Sequence, residues 1–424
     1  MGIFMFFYSL LMIPLGRFLS FVSKFHKSFR AQGANRFLSR SQFRHLRELR
    51  SQYQSCTLFF TSSAGEYEQA KPMIDRLQND KSVLCVIVFF SESGVRFAKA
   101  QGESCTFLKA PWDDWLHWRR IFDALDPNRS FVVRYELWPA FLSHAKAKGS
   151  LFLINGVSSP SMGGAGISSL VRRYLLRYFD QIFVVSQNDQ KVFEEFVAEP
   201  SLPVTVSGDT KYDRVRERIT ERKAKLAEVE GHLSPWTRKK RLILGSAWQD
   251  ELNLCLRTFD KMGDLAEQWQ LIVAPHDISE GMVNWVREQC EGQGLSVCLY
   301  SDRSLLNSEV QVLLVDCLGV LPEFYGCADV AVVGGAMHHR VHNVLEPAVR
   351  GLYLSFGPRY DTSKEAIVLV ESQLAKVLES EDDLMALLND STLLIGEKNL
   401  PLVSKVEDLC GAADKIFRQL EIGQ

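Results

Sequence analysis

Glu66 closes the stretch "TSSAGE", directly after the apolar run "CTLFFT". A carboxylate at the end of a buried run, in the first turn of the next helix, can act as a general base. The placement also has a plainer use, because an acid in a first helical turn complements the helix dipole. Ser62 or Ser63 can cap that helix, and Gly65 leaves room for a ligand to approach the backbone. A second small-residue turn, "LGSAWQDEL", sets Gly245 and Ser246 after another apolar run. Ser246 can cap the helix that follows, and the backbone N–H groups there can hold a phosphate. A third turn, "VVGGA", holds Gly334 and Gly335. The second turn lacks the Walker pattern and the third lacks the dinucleotide fingerprint, so neither is a kinase-type or Rossmann-cofactor loop by motif.

Histidines gather once, at His338, His339 and His342 in "HHRVHNVLEPAVRG". Zinc enzymes place histidines four apart on a helix with a glutamate after the first. Here no glutamate follows His338, and the segment comes off a Gly-Gly turn. The other reading is a helix start: Asn343 as N-cap, Glu346 three residues on, and Pro347 in the first turn. An anion could then lie at the free N–H groups, with His342 or Arg340 as a charged helper.

Elements that position these turns recur along the chain. Apolar runs at 56–61, 82–90, 130–136, 150–156, 181–186 and 203–208 read as buried strands, with helical patterns between them. A charged stretch, 214–240, carries no strand pattern. The alternation restarts with runs at 241–246, 269–275, 295–300, 310–316, 329–335 and 352–357. Strand–helix alternation of this kind predicts an α/β protein with two doubly wound, Rossmann-like parallel sheets. Two such domains facing a cleft bind ligands at the carboxyl ends of their strands. The expected division is 1–50, a first domain 51–213, a connector 214–240, and a second domain 241–424.

Composition suits this reading: 46% apolar, 24% charged, and 424 residues, enough for more than one core. A net charge of −2 gives no reason to expect a nucleic-acid partner. The nine cysteines are scattered with no C-x-x-C pair, which predicts buried reduced thiols and no zinc site. The first 16 residues carry no charge, and nine Lys/Arg against one acid follow between Arg17 and Arg50. An apolar helix of ~24 Å is short of a ~30 Å hydrocarbon core. An apolar plug with a basic collar suits an anchor on an anionic membrane surface. A signal peptide would carry its basic residues first, and a buried helix is the remaining alternative.

Taken in order, these stretches resemble the 3-deoxy-D-manno-octulosonic acid (Kdo) transferases, which have the two-domain glycosyltransferase B fold. "SSAGE", "YELWPAFL", "SGDTKYD", "LGSAWQDE", "VDCLGVLPEFYGCADVAVVGGA" and "HNVLEPAVRGLYLSFGP" match the family's blocks along nearly the whole chain. The resemblance implies an inverting glycosyltransferase that moves Kdo from CMP-Kdo to a lipid A precursor, in lipopolysaccharide synthesis at the cytoplasmic face of the inner membrane. It implies Glu66 as the general base, with Ser63, Gly65 and Glu136 on the acceptor side. Lys211, Ser246, His276, Gly334, Gly335, His342, Asn343 and Glu346 would bind the donor: the glycines and the helix after Asn343 the phosphate, Glu346 the ribose. No metal or other cofactor is implied. The partners are then the nucleotide sugar, the lipid acceptor and the membrane surface.

The chain also departs from the family pattern. Pro275 and Val157 stand where the family has arginines, and Arg134 stands where it has a glutamate. Ala247-Trp248 replaces a Thr-His pair, Arg340-Val341 replaces two glycines, and Val320 replaces a glutamate. Loss of a charged partner to an anion costs about 2–3 kcal/mol. Arg134 and Arg340 are the cations that could substitute. Two further readings follow: a related transferase using another nucleotide sugar, and a non-catalytic membrane-associated member of the fold.

Overall fold

The computed structural model describes residues 3–22, 36–100, 105–134, 136–159, 162, 164, 166–236, 240–390 and 397–421. Residues 23–35 of the basic collar and Tyr135 of "YELWPAFL" lie outside them. The chain divides into two compact units, Met1–Arg214 with Leu409–Gln424, and Val215–Asp408.

Each unit is built on a seven-stranded sheet. The first contains β1 (Ser55–Thr61), β2 (Val83–Phe89), β3 (Thr106–Lys109), β4 (Arg129–Val133), β5 (Ser150–Gly156), β6 (Gln181–Val184) and β7 (Val204–Val206), in the order β3-β2-β1-β4-β5-β6-β7. Every recorded pairing in it is parallel. Side chains alternate across the sheet, so the period of two in β1 sends Leu58 and Phe60 to one core layer and Phe59 to the other. Both faces are covered by helices, which is why β1 and β2 read as nearly unbroken apolar runs.

The second sheet holds β8 (Lys240–Ala247), β9 (Trp269–Pro275), β10 (Val297–Leu299), β11 (Val312–Leu314), β12 (Val330–Val333), β13 (Tyr353–Phe356) and β14 (Ala375–Val377). Its order is β10-β11-β9-β8-β12-β13-β14, again parallel. Strand order therefore reverses once in each unit, between β1 and β4 and between β8 and β12. Sequence patterning misses β3 and β14. Both are short edge strands with partly exposed residues, so neither has a long apolar run to reveal it.

Two boundaries differ from those read in the sequence. The stretch expected as a connector forms the helices Thr210–Glu221 and Lys223–His232, and from Val215 onward it belongs to the second unit. Val229, Leu233 and Trp236 are buried, and Arg222 forms an ion pair with the buried Glu323. The charges disguised a packed segment. The other difference is at the carboxyl end, expected in the second domain. The helix Ala412–Gln419 instead packs Ile416 and Phe417 into the core layer that holds Phe59 and Tyr67. Asp213 ties it down, accepting the N–H groups of Gly411 and of Ala413 (2.9 Å).

The helix Ile3–Val22 lies along the first unit. Tyr8 Oη donates to Asp113 (2.8 Å), Arg17 reaches Asp114 (3.3 Å), and Trp112 Nε1 donates to Ser20 Oγ (2.9 Å). Its other side leaves Phe6, Phe7, Leu10, Leu11, Phe18 and Phe21 exposed. Residues Phe4–Val22 are long and apolar enough to cross a membrane by length and composition alone.

Replacing Asp213 by alanine removes the acceptor for two N–H groups, the one on Ala413 buried. Amide exchange in the helix Ala412–Gln419 should accelerate, and unfolding should become easier by about 1–3 kcal/mol. Unchanged protection of that helix would show that Phe417 packing alone holds it.

Candidate active site

In the first unit, Ser63 caps the helix Ala64–Gln78 in a reciprocal capping box with Glu66. One carboxylate oxygen, Oε2, accepts the N–H groups of Ser62 and Ser63 (3.2 Å to the latter). Oε1 has no hydrogen-bond partner among the described residues. Burial pushes the Glu66 carboxyl up to about 7, with the nearby Glu136 carboxylate adding to it; the two N–H groups and Arg134 pull the other way. A group poised near neutrality with one bare oxygen can accept a proton. Gly65 is exposed, and a side chain there would meet only Ser63 Oγ at 3.9 Å, so the space above the turn is open.

The neighbouring strand at the reversal, β4, runs straight into Arg134, whose φ is 62°. That left-handed backbone aims the guanidinium at Gln69 (Nε to Oε1, 2.8 Å) and Asp209 (3.2 Å). Lys211 Nζ also reaches Asp209, at 3.4 Å. Asn155 (φ 54°), next to last in β5, donates Nδ2–H to Thr210 Oγ1 at 2.6 Å. Positive φ at such residues costs about 1–3 kcal/mol each and is held by these bonds. Glu136 accepts from Trp138 Nε1 at 2.5 Å. The structure thus brings Ser63, Glu66, Glu136 and Lys211 together with Arg134, Gln69 and Asp209 at the carboxyl ends of β1, β4 and β7.

In the second unit, the turn after β8 and the Gly-Gly turn after β12 meet through one residue that the sequence reading omits. Glu251, 1% exposed, accepts Gly335 N (2.9 Å) and Met337 N (3.2 Å) on Oε1, and Trp248 N (3.0 Å) on Oε2. Its signal was its place three residues after the helix N-cap, the spacing that links Ser63 to Glu66. Beside it, Trp248, His276 and His342 form a stack. The Trp248 and His276 rings lie 4.8 Å apart at 18°, and those of His276 and His342 4.4 Å apart at 15°. Trp248 Nε1 donates to His342 Nε2 at 3.0 Å.

Several expectations change here. Gly334 and Gly335 are not open phosphate cradles. Gly334 N donates to Gly245 O and Gly335 N to Glu251. A Cβ on Gly334 would lie 2.2 Å from Ser246 O, and Gly335 has φ +92°. Both glycines serve the close passage of chain against chain. Ser246 does not cap the following helix, whose N-cap is Trp248; with φ 52° it makes the turn itself. His342 is not a charged helper. Burial lowers its pKa, as do His276, Arg340 and His339, and its Nε2 is an acceptor, which requires the neutral ring. Asn343 is not an N-cap: the helix is Leu345–Arg350, six residues after Val344, and Asn343 Oδ1 takes the Leu345 N–H at 3.0 Å. Glu346 gives one oxygen to Arg218 (3.1 Å). His276 is exposed, at the end of β9. No group of three or more His, Cys, Asp or Glu among the described residues could hold a metal ion.

Two parallel sheets, each with its polar cluster at the reversal of strand order, define a GT-B-like fold. The UDP-GlcNAc 2-epimerase from Neisseria meningitidis bound to UDP-GlcNAc shares it: TM-score 0.55 at 12% identity, covering 86% of this chain and 99% of that one. Residues 35–214 match the 3-deoxy-D-manno-octulosonic-acid transferase (kdotransferase) family. The chain is 23% identical over 354 residues to the 3-deoxy-D-manno-octulosonic acid transferase of Aquifex aeolicus, covering 83% of this chain and 89% of the relative. It is 25% identical over 360 residues to that of Chlamydia trachomatis, covering 80% and 78%. Over most of its length the chain is thus similar to Kdo transferases.

Glu251→Ala would leave three N–H groups without their acceptor. Denaturant unfolding should show a loss of about 2–4 kcal/mol, with Glu251→Gln intermediate. A stability equal to wild type in the alanine variant would mean that the Gly-Gly turn holds without this brace.

Proposed function

We propose that this protein is an inverting glycosyltransferase that moves Kdo from CMP-Kdo to a hydroxyl of a lipid A precursor in lipopolysaccharide synthesis, with Glu66 as general base. The observation that supports it best is the half-buried Glu66 carboxylate, pushed up to about 7, with Oε1 unpartnered. In this reading Oε1 takes the proton from the acceptor hydroxyl as its oxygen attacks the anomeric carbon. CMP departs from the opposite face, so the configuration inverts. Lys211 and Arg134, both at Asp209, supply positive charge on the acceptor unit. Trp248 and His276 offer a flat, exposed stack to the donor on the other unit. No metal takes part, so chelation leaves the rate unchanged.

The membrane belongs to the same proposal. The helix Ile3–Val22 is bonded to the first unit from Tyr8 to Ser20 and turns an apolar face outward. A helix held lengthwise by its own domain suits an in-plane anchor at the cytoplasmic face of the inner membrane better than a span.

The absent arginines at Val157 and Pro275 favour one other reading, a donor other than CMP-Kdo. Binding of CMP, UDP and GDP to the purified protein separates the two: preference for UDP or GDP would replace the donor in the proposal.

Glu66→Gln should lower transfer from CMP-Kdo to a tetraacyl lipid A precursor by about 10²–10⁴-fold while leaving CMP binding intact. No transfer by the wild type would sink the proposal.

The pH profile is a separate check. A base must be ionised, so the rate should rise with pH through about 7. Glu136→Gln removes a like charge and should move that limb to lower pH, whereas Arg134→Gln should move it higher. A limb that ignores both substitutions would exclude Glu66 as the titrating group.

A further inference from the structure

A cavity of about 310 Å³ lies in the first unit, beside Arg134. Leu153, Val157, Leu176 and Phe193 line it, together with Arg134 and Arg172. Those four apolar residues are buried, and Leu153, Leu176 and Phe193 belong to the main core layer. The cavity therefore reaches into the core, and its volume is at the small end of the ~300–1,000 Å³ typical of ligand sites. Its described lining carries two arginines and no acid. Arg134 is also bonded to Gln69 and Asp209 in the Glu66 cluster, so the cationic edge of the cavity adjoins the proposed base. Arg172 is steadied by Ser159 Oγ at 3.1 Å.

We propose that this cavity receives a fatty-acyl chain of a phosphorylated lipid, with the phosphate at Arg134 and Arg172. An apolar floor rejects water and polar ligands and gains from every methylene it covers. Guanidinium groups suit phosphate by geometry and charge. Val157 is what leaves the wall apolar: the family pattern has an arginine there, which would set a cation among Leu153, Leu176 and Phe193. The inference rests on the transferase reading only for what the lipid is used for, since it deepens the acceptor side of the same site.

The test uses the full chain in nanodiscs of zwitterionic lipid and a dodecyl phosphate carrying a diazirine at its last carbon. Photolabelling without donor should saturate, and the labelled peptides should contain Leu153–Val157, Leu176 or Phe193. Unlabelled dodecyl phosphate should compete, whereas inorganic phosphate and dodecanol should compete at least tenfold less well. Leu176→Trp, which fills the cavity, and Val157→Arg, which charges it, should each reduce labelling at least tenfold. Arg172→Gln should weaken competition by the phosphate lipid and leave the labelled peptides the same. Should Leu176→Trp fail to fold, Val157→Arg and Arg172→Gln carry the test. Label confined to the helix Ile3–Val22, or labelling indifferent to these substitutions, overturns the proposal. Saturable labelling without sugar transfer would keep the cavity and remove the transferase reading; transfer without saturable labelling would do the reverse.

Discussion

In a parallel sheet with right-handed crossovers, the helices leaving two adjacent strands at a reversal of order go to opposite faces. The gap between them cannot be closed by either helix. Each unit has one such gap, between β1 and β4 and between β8 and β12. Glu66 follows β1 and Arg134 follows β4; Ser246 lies in the last residues of β8 and the Gly-Gly turn follows β12. The polar clusters stand where topology leaves space, and the strained φ values of Arg134 and Ser246 show backbone bent to fit it.

The two units use one local device for opposite ends. Glu66 and Glu251 both occupy the third position of a helix and both reach back to the N-cap backbone. Glu251 is buried, and both of its oxygens are engaged by three N–H groups, so it is a brace. Glu66 keeps one oxygen bare beside the Glu136 carboxylate, and burial disfavours its charge. Sequence spacing cannot separate these roles, because the spacing is the same. What separates them is how many donors converge from distant chain.

Legibility in the sequence followed the same line. Twelve of the fourteen strands among the described residues announced themselves as apolar runs, because strands covered on both faces must be apolar throughout. The short edge strands β3 and β14 and the charged helices did not, because part of their surface faces solvent. Ser63 as cap and Glu66 in its turn were readable, being local. The roles of Gly334, Gly335 and His342 are not legible in the sequence, because each depends on a contact with sequence-distant chain: Ser246, Glu251 and Trp248. A Gly-Gly turn looks the same whether it admits a phosphate or a neighbouring backbone.

Apart from Val320, the departures from the family pattern fall into two groups in space. Arg134 and Val157 line one cavity in the first unit. In the second, Pro275 pairs with Ala247 across β8 and β9, and His276 N donates to Ala247 O. Trp248 stacks on His276 and bonds His342, while Arg340 O packs over Gly335 and Val341 is buried next to them. Random drift would scatter such changes over surface positions with no shared contacts. Here an apolar wall sits beside a new arginine in one cluster, and a ring stack beside a lost arginine in the other. Substitutions in mutual contact change energy jointly, so the members of each group are expected to act together rather than one by one.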